Sequence, residues 1–221
     1  MAKKIAVGLL SYILVVIAGC VNLKTKHLDP EYREPVSSTS VLIVPLYPQN
    51  DESSDRGSDE MMGPEERKEF NSIFGRLFSK YTLTETYGID PDYTVRKDAY
   101  TWQFLKLGNS TLQVLLPDTT HILSYKDTKP DFVLFLQNHH FNIDQRTESL
   151  STSGSFNARQ GYALAFRGNY VIWDNRSQDP IGWGTIDQSV RFTSEATTEN
   201  YITLLEIVAK EIIDNSPFPA R

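Results

Sequence analysis

The chain has 221 residues, 40% of them hydrophobic and 23% charged, with a formal net charge of −6. That length supports one core of ordinary size, and that sign repels phosphate backbones, so the composition argues against nucleic acid as a partner. The single cysteine, Cys20, excludes an intramolecular disulfide and any cysteine-based zinc or redox motif.

Residues 1–20 read MAKKIAVGLLSYILVVIAGC. Lys3 and Lys4 form a positive start, Ile5 to Ala18 an apolar run, and the small residues Ala18 and Gly19 stand before Cys20. This order is that of a secretory signal peptide. The apolar run, about 14 residues, is shorter than the roughly 20 that a spanning helix needs. Ile17-Ala18-Gly19-Cys20 resembles the lipobox of bacterial lipoproteins. The resemblance implies cleavage between Gly19 and Cys20 once a diacylglyceryl group is on the sulfur, and a stable membrane anchor made of several acyl chains. The competing reading is an uncleaved anchor in which the cysteine is incidental. Val21 follows the cysteine, where an aspartate goes with inner-membrane retention in enteric-type bacteria. By that resemblance the expected location is the periplasmic face of the outer membrane, with the inner membrane as second choice. Cleavage removes two lysines and no acid, leaving 20 basic and 28 acidic residues and a charge of −8. Lys24 and Lys26, beside the anchor, read as contacts to anionic headgroups.

Residues 21–40 contain two prolines, a Ser/Thr cluster and no hydrophobic period, which predicts a flexible tether. As a coil it reaches about 25 Å, and fully stretched at most about 70 Å. The expected organisation is a signal peptide at 1–19, lipidated cysteine and tether at 20–40, and a periplasmic domain at 41–216.

Val41-Leu42-Ile43-Val44 predicts a strand buried on both faces, stopped by Pro45 and Pro48. Residues 49–64 are rich in acids and glycine and predict a loop. Asp51, Glu52, Asp55, Asp59 and Glu60 raise the question of calcium, but their spacing fits no EF-hand and no glycine sits at the turn position. After Pro64, Glu65 and Glu66 open a helix whose stripe is Phe70, Ile73, Phe74, Leu77, Phe78 and Tyr81. Thr101 to Leu107 and Leu112 to Leu116 predict strands around Gly108-Asn109, then a short helix from Pro117 to about Tyr125 and a turn over 127–130. Phe132 to Leu136 is a second wholly apolar run, a central strand reaching about Ile143. The polar run Thr147 to Gln160 predicts a flexible hairpin loop. Gly161 to Trp173 alternates, with Gly168 marking a bulge. Asn175 to Pro180 is turn chemistry, and Ile181 to Phe192 alternates again, completing a hairpin. Gly182 and Gly184, on the face opposite Trp183, leave room for another backbone or aromatic ring. Tyr201, Leu204, Leu205, Val208, Ile212 and Ile213 predict a second amphipathic helix, ending before Asn215 and Pro217.

Three pieces, about residues 41–47, 65–81 and 130–214, follow a recognisable order. Pro130-Asp131-Phe132 through Leu136 precedes Tyr162-Ala163-Leu164, Trp173-Asp174 and Gly182-Trp183-Gly184. This resembles the small α/β domain shared by the curli-secretion lipoprotein, the TolB amino-terminal domain and the penicillin-binding-protein activator lipoproteins. The aspartate, turn and Gly-Trp-Gly are similar to their D-x-x-T-G-x-x-x-W hairpin, with Arg176 to Pro180 in the turn here. The resemblance implies a periplasmic binding or assembly module without catalysis. A curli-type channel needs lipid-facing hairpins, and Arg96, Lys97, Asp98 and Lys106 interrupt the one stretch that could supply a strand, residues 91–116. A peripheral module is therefore preferred to a pore.

His121, His139, His140, Asp144 and Asp187 are the chemistry-bearing candidates. A metal site would use His139 or His140 with Asp144 and a distant partner. Adjacent histidines on a strand face opposite ways, so only one of them can serve. No zincin, nucleophile-elbow, P-loop or dinucleotide-binding motif is present, and no catalytic residue, metal or cofactor is nominated. The sequence thus reads as α/β, a single mixed sheet of about five strands with two long helices packed on it. The expected function is that of a lipoprotein, held on the membrane through Cys20, that binds an envelope protein partner in envelope biogenesis, secretion or polymer export. Trp173 and Trp183 are the expected contact, because tryptophan is over-represented among binding hot spots. The alternative places both indoles in the core. A periplasmic metal-dependent hydrolase and an oligomeric export-channel subunit remain as other readings.

Overall fold

The computed structural model describes residues 25–36, 39–46, 64–88, 100–118, 122–152 and 155–221. In chain order the elements are β1 (Lys26–Leu28), a 3-10 turn (Pro30–Tyr32), β2 (Ser40–Leu46), α1 (Pro64–Tyr81), β3 (Glu85–Gly88), β4 (Tyr100–Leu107), β5 (Ser110–Pro117), β6 (Phe132–Thr152), β7 (Ser155–Asp174), β8 (Asp179–Phe192) and α2 (Thr198–Asp214). The fold is α/β, as the sequence predicts. Six strands form one mixed sheet in the order β1-β8-β7-β6-β2-β3, with β2 parallel to β3 and β6. The remaining neighbours are antiparallel, and β4 and β5 form a separate antiparallel hairpin.

Both faces of the sheet are covered, which is why Val41 to Val44 and Phe132 to Leu136 show no polar alternation. On one face, Val41, Ile43, Phe132, Leu134, Leu136, Phe166, Tyr170 and Ile172 meet the stripes of the two helices. Helix α1 contributes Phe70, Ile73, Phe74, Leu77 and Phe78, and α2 contributes Leu204, Leu205, Val208, Ile212 and Ile213. Thr197 and Asn200 cap α2 reciprocally, each side chain accepting the other's backbone N–H, at 3.3 and 3.0 Å. Such a cap is worth about 1 kcal/mol.

The opposite face buries Leu42, Val44, Val133, Phe135, Val171 and Trp173 under Leu112, Val114 and Leu116 of β5. Each such aliphatic side chain contributes about 1.5–3 kcal/mol on burial. One polar device fixes this third layer. The Gln137 amide donates to the Leu115 carbonyl at 2.9 Å and accepts from the Leu115 N–H at 2.8 Å, taking the place of a strand partner.

A bulge displaces β6 against β7. Gln137 pairs with Asn169 and His140 with Arg167, so Asn138 and His139 together oppose Gly168. Asn138 has φ 51°, the left-handed region that asparagine tolerates. A Cβ on Gly168 would lie 2.9 Å from that of His139, so only glycine fits beneath the bulge. The expected bulge is present, with its extra residue on the facing strand. The insertion also reverses the alternation: Leu134 and Leu136 face the helices before it, His139 and Phe141 after it.

Four expectations need correction. The tether reading of 20–40 fails over 25–36, because Lys26–Leu28 pairs with β8 and Pro30–Tyr32 forms a turn. The domain does not stop at 216. Phe218 is buried against Phe78 and Phe132, while the carbonyls of Pro217 and Pro219 accept from Val36 and Leu83. The run 147–160 is not a loop, since Arg146 to Thr152 pairs without a break to Ser155 to Gly161. Backbone pairing needs no apolar side chain, so polarity concealed it. No helix follows Pro117 over the described residues: 122–124 are irregular, and Tyr125 and Thr128 exchange two backbone hydrogen bonds of 2.9 Å across a tight turn. Residues 119–121 lie outside the described residues.

Candidate functional site

The site is built at the β1 edge of the sheet and on the adjoining hairpin. Strand β1 lies antiparallel on β8, with Lys26, His27 and Leu28 opposite Gly184, Trp183 and Gly182. The Thr25 carbonyl accepts from Thr185 N–H at 3.0 Å, and Asp29 N–H donates to Ile181 at 2.8 Å. The two glycines do what their positions suggest. A Cβ on Gly182 would lie 3.2 Å from Leu28, and one on Gly184 2.8 Å from the Thr25 carbonyl oxygen. Downstream, the Tyr32 hydroxyl donates to Asp174 Oδ2 at 2.5 Å. That bond, helped by burial, pushes the Tyr32 hydroxyl up to about 12. Asp174 Oδ1 meanwhile accepts from the backbone of Arg176 and Ser177 and shapes the β7–β8 turn. Lys26 pairs with Glu211 of α2 at 2.5 Å, so its ammonium has an internal partner in addition to any headgroup.

On the hairpin side, the Trp183 indole stacks on His27, centroids 4.0 Å apart at 25°, and its Nε1–H donates to the Lys106 carbonyl at 3.0 Å. These contacts join the start of the described chain to the end of β4. Alternation along β4 turns Leu105 and Leu107 towards the core and leaves Trp102, Phe104 and Lys106 outside. Trp102 is 58% and Phe104 69% exposed. Their partners in register on β5 are Leu115 and Gln113, with Thr111 opposite Lys106. Residues 100–117 contain one lysine and no acid, in a chain with 28 acids.

The residues nominated from sequence are dispersed. Trp173 is 0% exposed and belongs to the core beneath β5, which removes it as a contact residue. Trp183 is half-buried and keeps an exposed part. His139 is buried among Phe70 and Phe166, at centroid distances of 5.0 and 6.0 Å. Burial, and secondarily His140, pushes it down to about 3, so the ring is neutral. His140 turns outward and its Nδ1 meets the Asn138 carbonyl at 3.3 Å. Arg167 binds both acids, Asp144 at 2.5 Å and Asp187 at 3.2 Å. Among the described residues no group of three or more His, Cys, Asp and Glu side chains is placed to hold a metal ion. Among them too, no helix is long and apolar enough to cross a membrane. Gly19, Cys20, Lys24, the acids of 51–60 and His121 lie outside the described residues.

Sequence reasoning overlooked Trp102 and Phe104. Their signal was available: apolar residues on both faces of β4, one more face than a single core can use. No protein-family model matches the chain, and no curated protein matches it.

Proposed function

We propose that this is a lipoprotein, anchored through Cys20 to the periplasmic face of the outer membrane, whose folded part is a binding or assembly module for an envelope protein. The observation that carries the reading is the sequence of residues 1–20, in which charged start, apolar run and small residues lead to the only cysteine. Support comes from the way the chain continues. Thr25, five residues after Cys20, is already hydrogen-bonded to the sheet edge, so an anchor there holds the whole fold against its membrane. The side chains that could do chemistry are engaged in structure: His139 in an aromatic layer, Asp144 and Asp187 on Arg167. Of the two tryptophans on the β7–β8 hairpin, the half-buried Trp183 is the one that remains for a protein contact.

Palmitate labelling in cells tests the anchor. Cys20→Ala should abolish label and leave a precursor longer by the leader. Normal labelling of that variant would overturn the proposal.

A further inference from the structure

We infer that the outer face of the β4–β5 hairpin, with Trp102 and Phe104 at its centre, lies on the lipid surface that holds the anchor. The inference rests on the lipoprotein reading and adds to it an orientation and a second contact with the bilayer. Three observations meet here.

The first is reach. Five residues of fully extended chain span at most about 18 Å, so Thr25 cannot be farther than that from a lipidated Cys20. The second is position. The strand that begins there leads through the His27–Trp183 stack and the Trp183–Lys106 hydrogen bond directly to β4. Phe104 is two residues from Lys106 and Trp102 four, about 7 and 13 Å along a strand. The exposed aromatic face and the anchor therefore share one side of the molecule. The third is chemistry. Trp102 and Phe104 are large, exposed and adjacent on one face, and the stretch around them carries Lys106 and no carboxylate. Tryptophan settles at the membrane–water interface, where its ring is among acyl chains and its N–H reaches water. Lysine snorkels to anionic headgroups. On an acidic protein, a hairpin with no carboxylate of its own between residues 100 and 117 adds no repulsion from an anionic membrane.

The test uses the mature, lipidated chain in vesicles of phosphatidylethanolamine and phosphatidylglycerol. Flotation first reports whether the chain is anchored. Tryptophan emission is then compared in vesicles with and without brominated acyl chains, for the wild type and for Trp102→Phe. The expected result is flotation of both proteins and a bromine-dependent loss of emission in the wild type that Trp102→Phe largely removes. Flotation without that loss overturns the inference and leaves the anchor intact. Failure to float overturns the anchor and this inference with it. A photocrosslinker at position 104 in cells gives a second reading. Adducts to lipid support the inference, whereas adducts to a protein, including a second copy of this chain, overturn it.

Discussion

Gly184 sits directly beneath the Tyr170 ring: a Cβ on the glycine would lie 2.8 Å from Tyr170 Cε1 and equally close to the Thr25 carbonyl oxygen. One of those neighbours is backbone and the other a fully buried tyrosine, so neither gives way easily. Gly184→Ala should therefore destabilise by about 1–3 kcal/mol, as overpacking does. It should also speed hydrogen exchange at the Thr185 amide, whose acceptor is Thr25. Gly75 on α1 is the contrast, because a Cβ there meets nothing within 4 Å. Gly75→Ala should stabilise by about 0.5–1 kcal/mol through helix propensity. Denaturant melts of the two variants should move in opposite directions; movement in the same direction would count against both arguments.

Acid should weaken the fold through His139. Its folded pKa is pushed down to about 3 by burial, against 6.5 for the free side chain. The unfolded chain therefore takes up a proton that the native state refuses. The resulting stability is fully present above pH 6.5 and is lost as pH falls towards 3, on the order of 5 kcal/mol over the whole window. His139→Leu removes the titration. The stability of wild type relative to that variant should fall by about 2–3 kcal/mol between pH 7.5 and 4.5. Parallel stability curves would show that the ring is not held neutral.

The two tryptophans of the β7–β8 hairpin should separate. Trp173 is wholly buried, and Trp173→Ala should cost about 3–5 kcal/mol. Its Nε1 has no hydrogen-bond partner among the described residues, so Trp173→Phe should be far milder. Trp183→Ala loses a stack and one hydrogen bond and should cost about 1–2 kcal/mol. If Trp183 also meets a protein partner, crosslinks in cells should disappear in that folded variant. Retention of every crosslink would remove Trp183 from the interface.

The helix layer is tested by Leu77→Ala on α1 and Leu205→Ala on α2. Both side chains lie in the same cluster, and each change should cost about 2–5 kcal/mol. Circular-dichroism melts unchanged in either variant would contradict the packing.

What the sequence disclosed depended on whether burial left a period. The runs at Val41 and Phe132 were readable because both faces of each strand are covered, and the helix stripes because one face is. Gly182 and Gly184 announced a close approach on the correct face without naming the visitor. That visitor, β1, has three residues, no apolar period and a partner more than 150 positions away, so nothing local specifies it. The polar ladder between Arg146 and Gly161 left no trace in hydropathy because backbone pairing needs no apolar side chain. His139 was misleading in another way. Alternation separates it correctly from His140, but the bulge at Asn138 reverses which faces meet the helices, and such an insertion is invisible before pairing. Of the candidate site, Trp183 was singled out and Trp102 with Phe104 were overlooked, because an exposed aromatic residue on a strand carries the same pattern as a buried one until both faces of β4 are counted.

The pairing of β1 with β8 also sets an order of events. Thr25 has no acceptor role to fill until Thr185 is present, and Val36 donates to Pro217 near the other end of the chain. Contacts of such separation carry the largest loop-closure entropy and form late. Strand β1 therefore stays unpaired until almost all of the remaining chain is in place. Under the proposed lipidation at Cys20, the enzymes that modify it would meet an open strand, and the same strand would close the sheet afterwards. The strand that is made first among the described residues is thus the last to be paired.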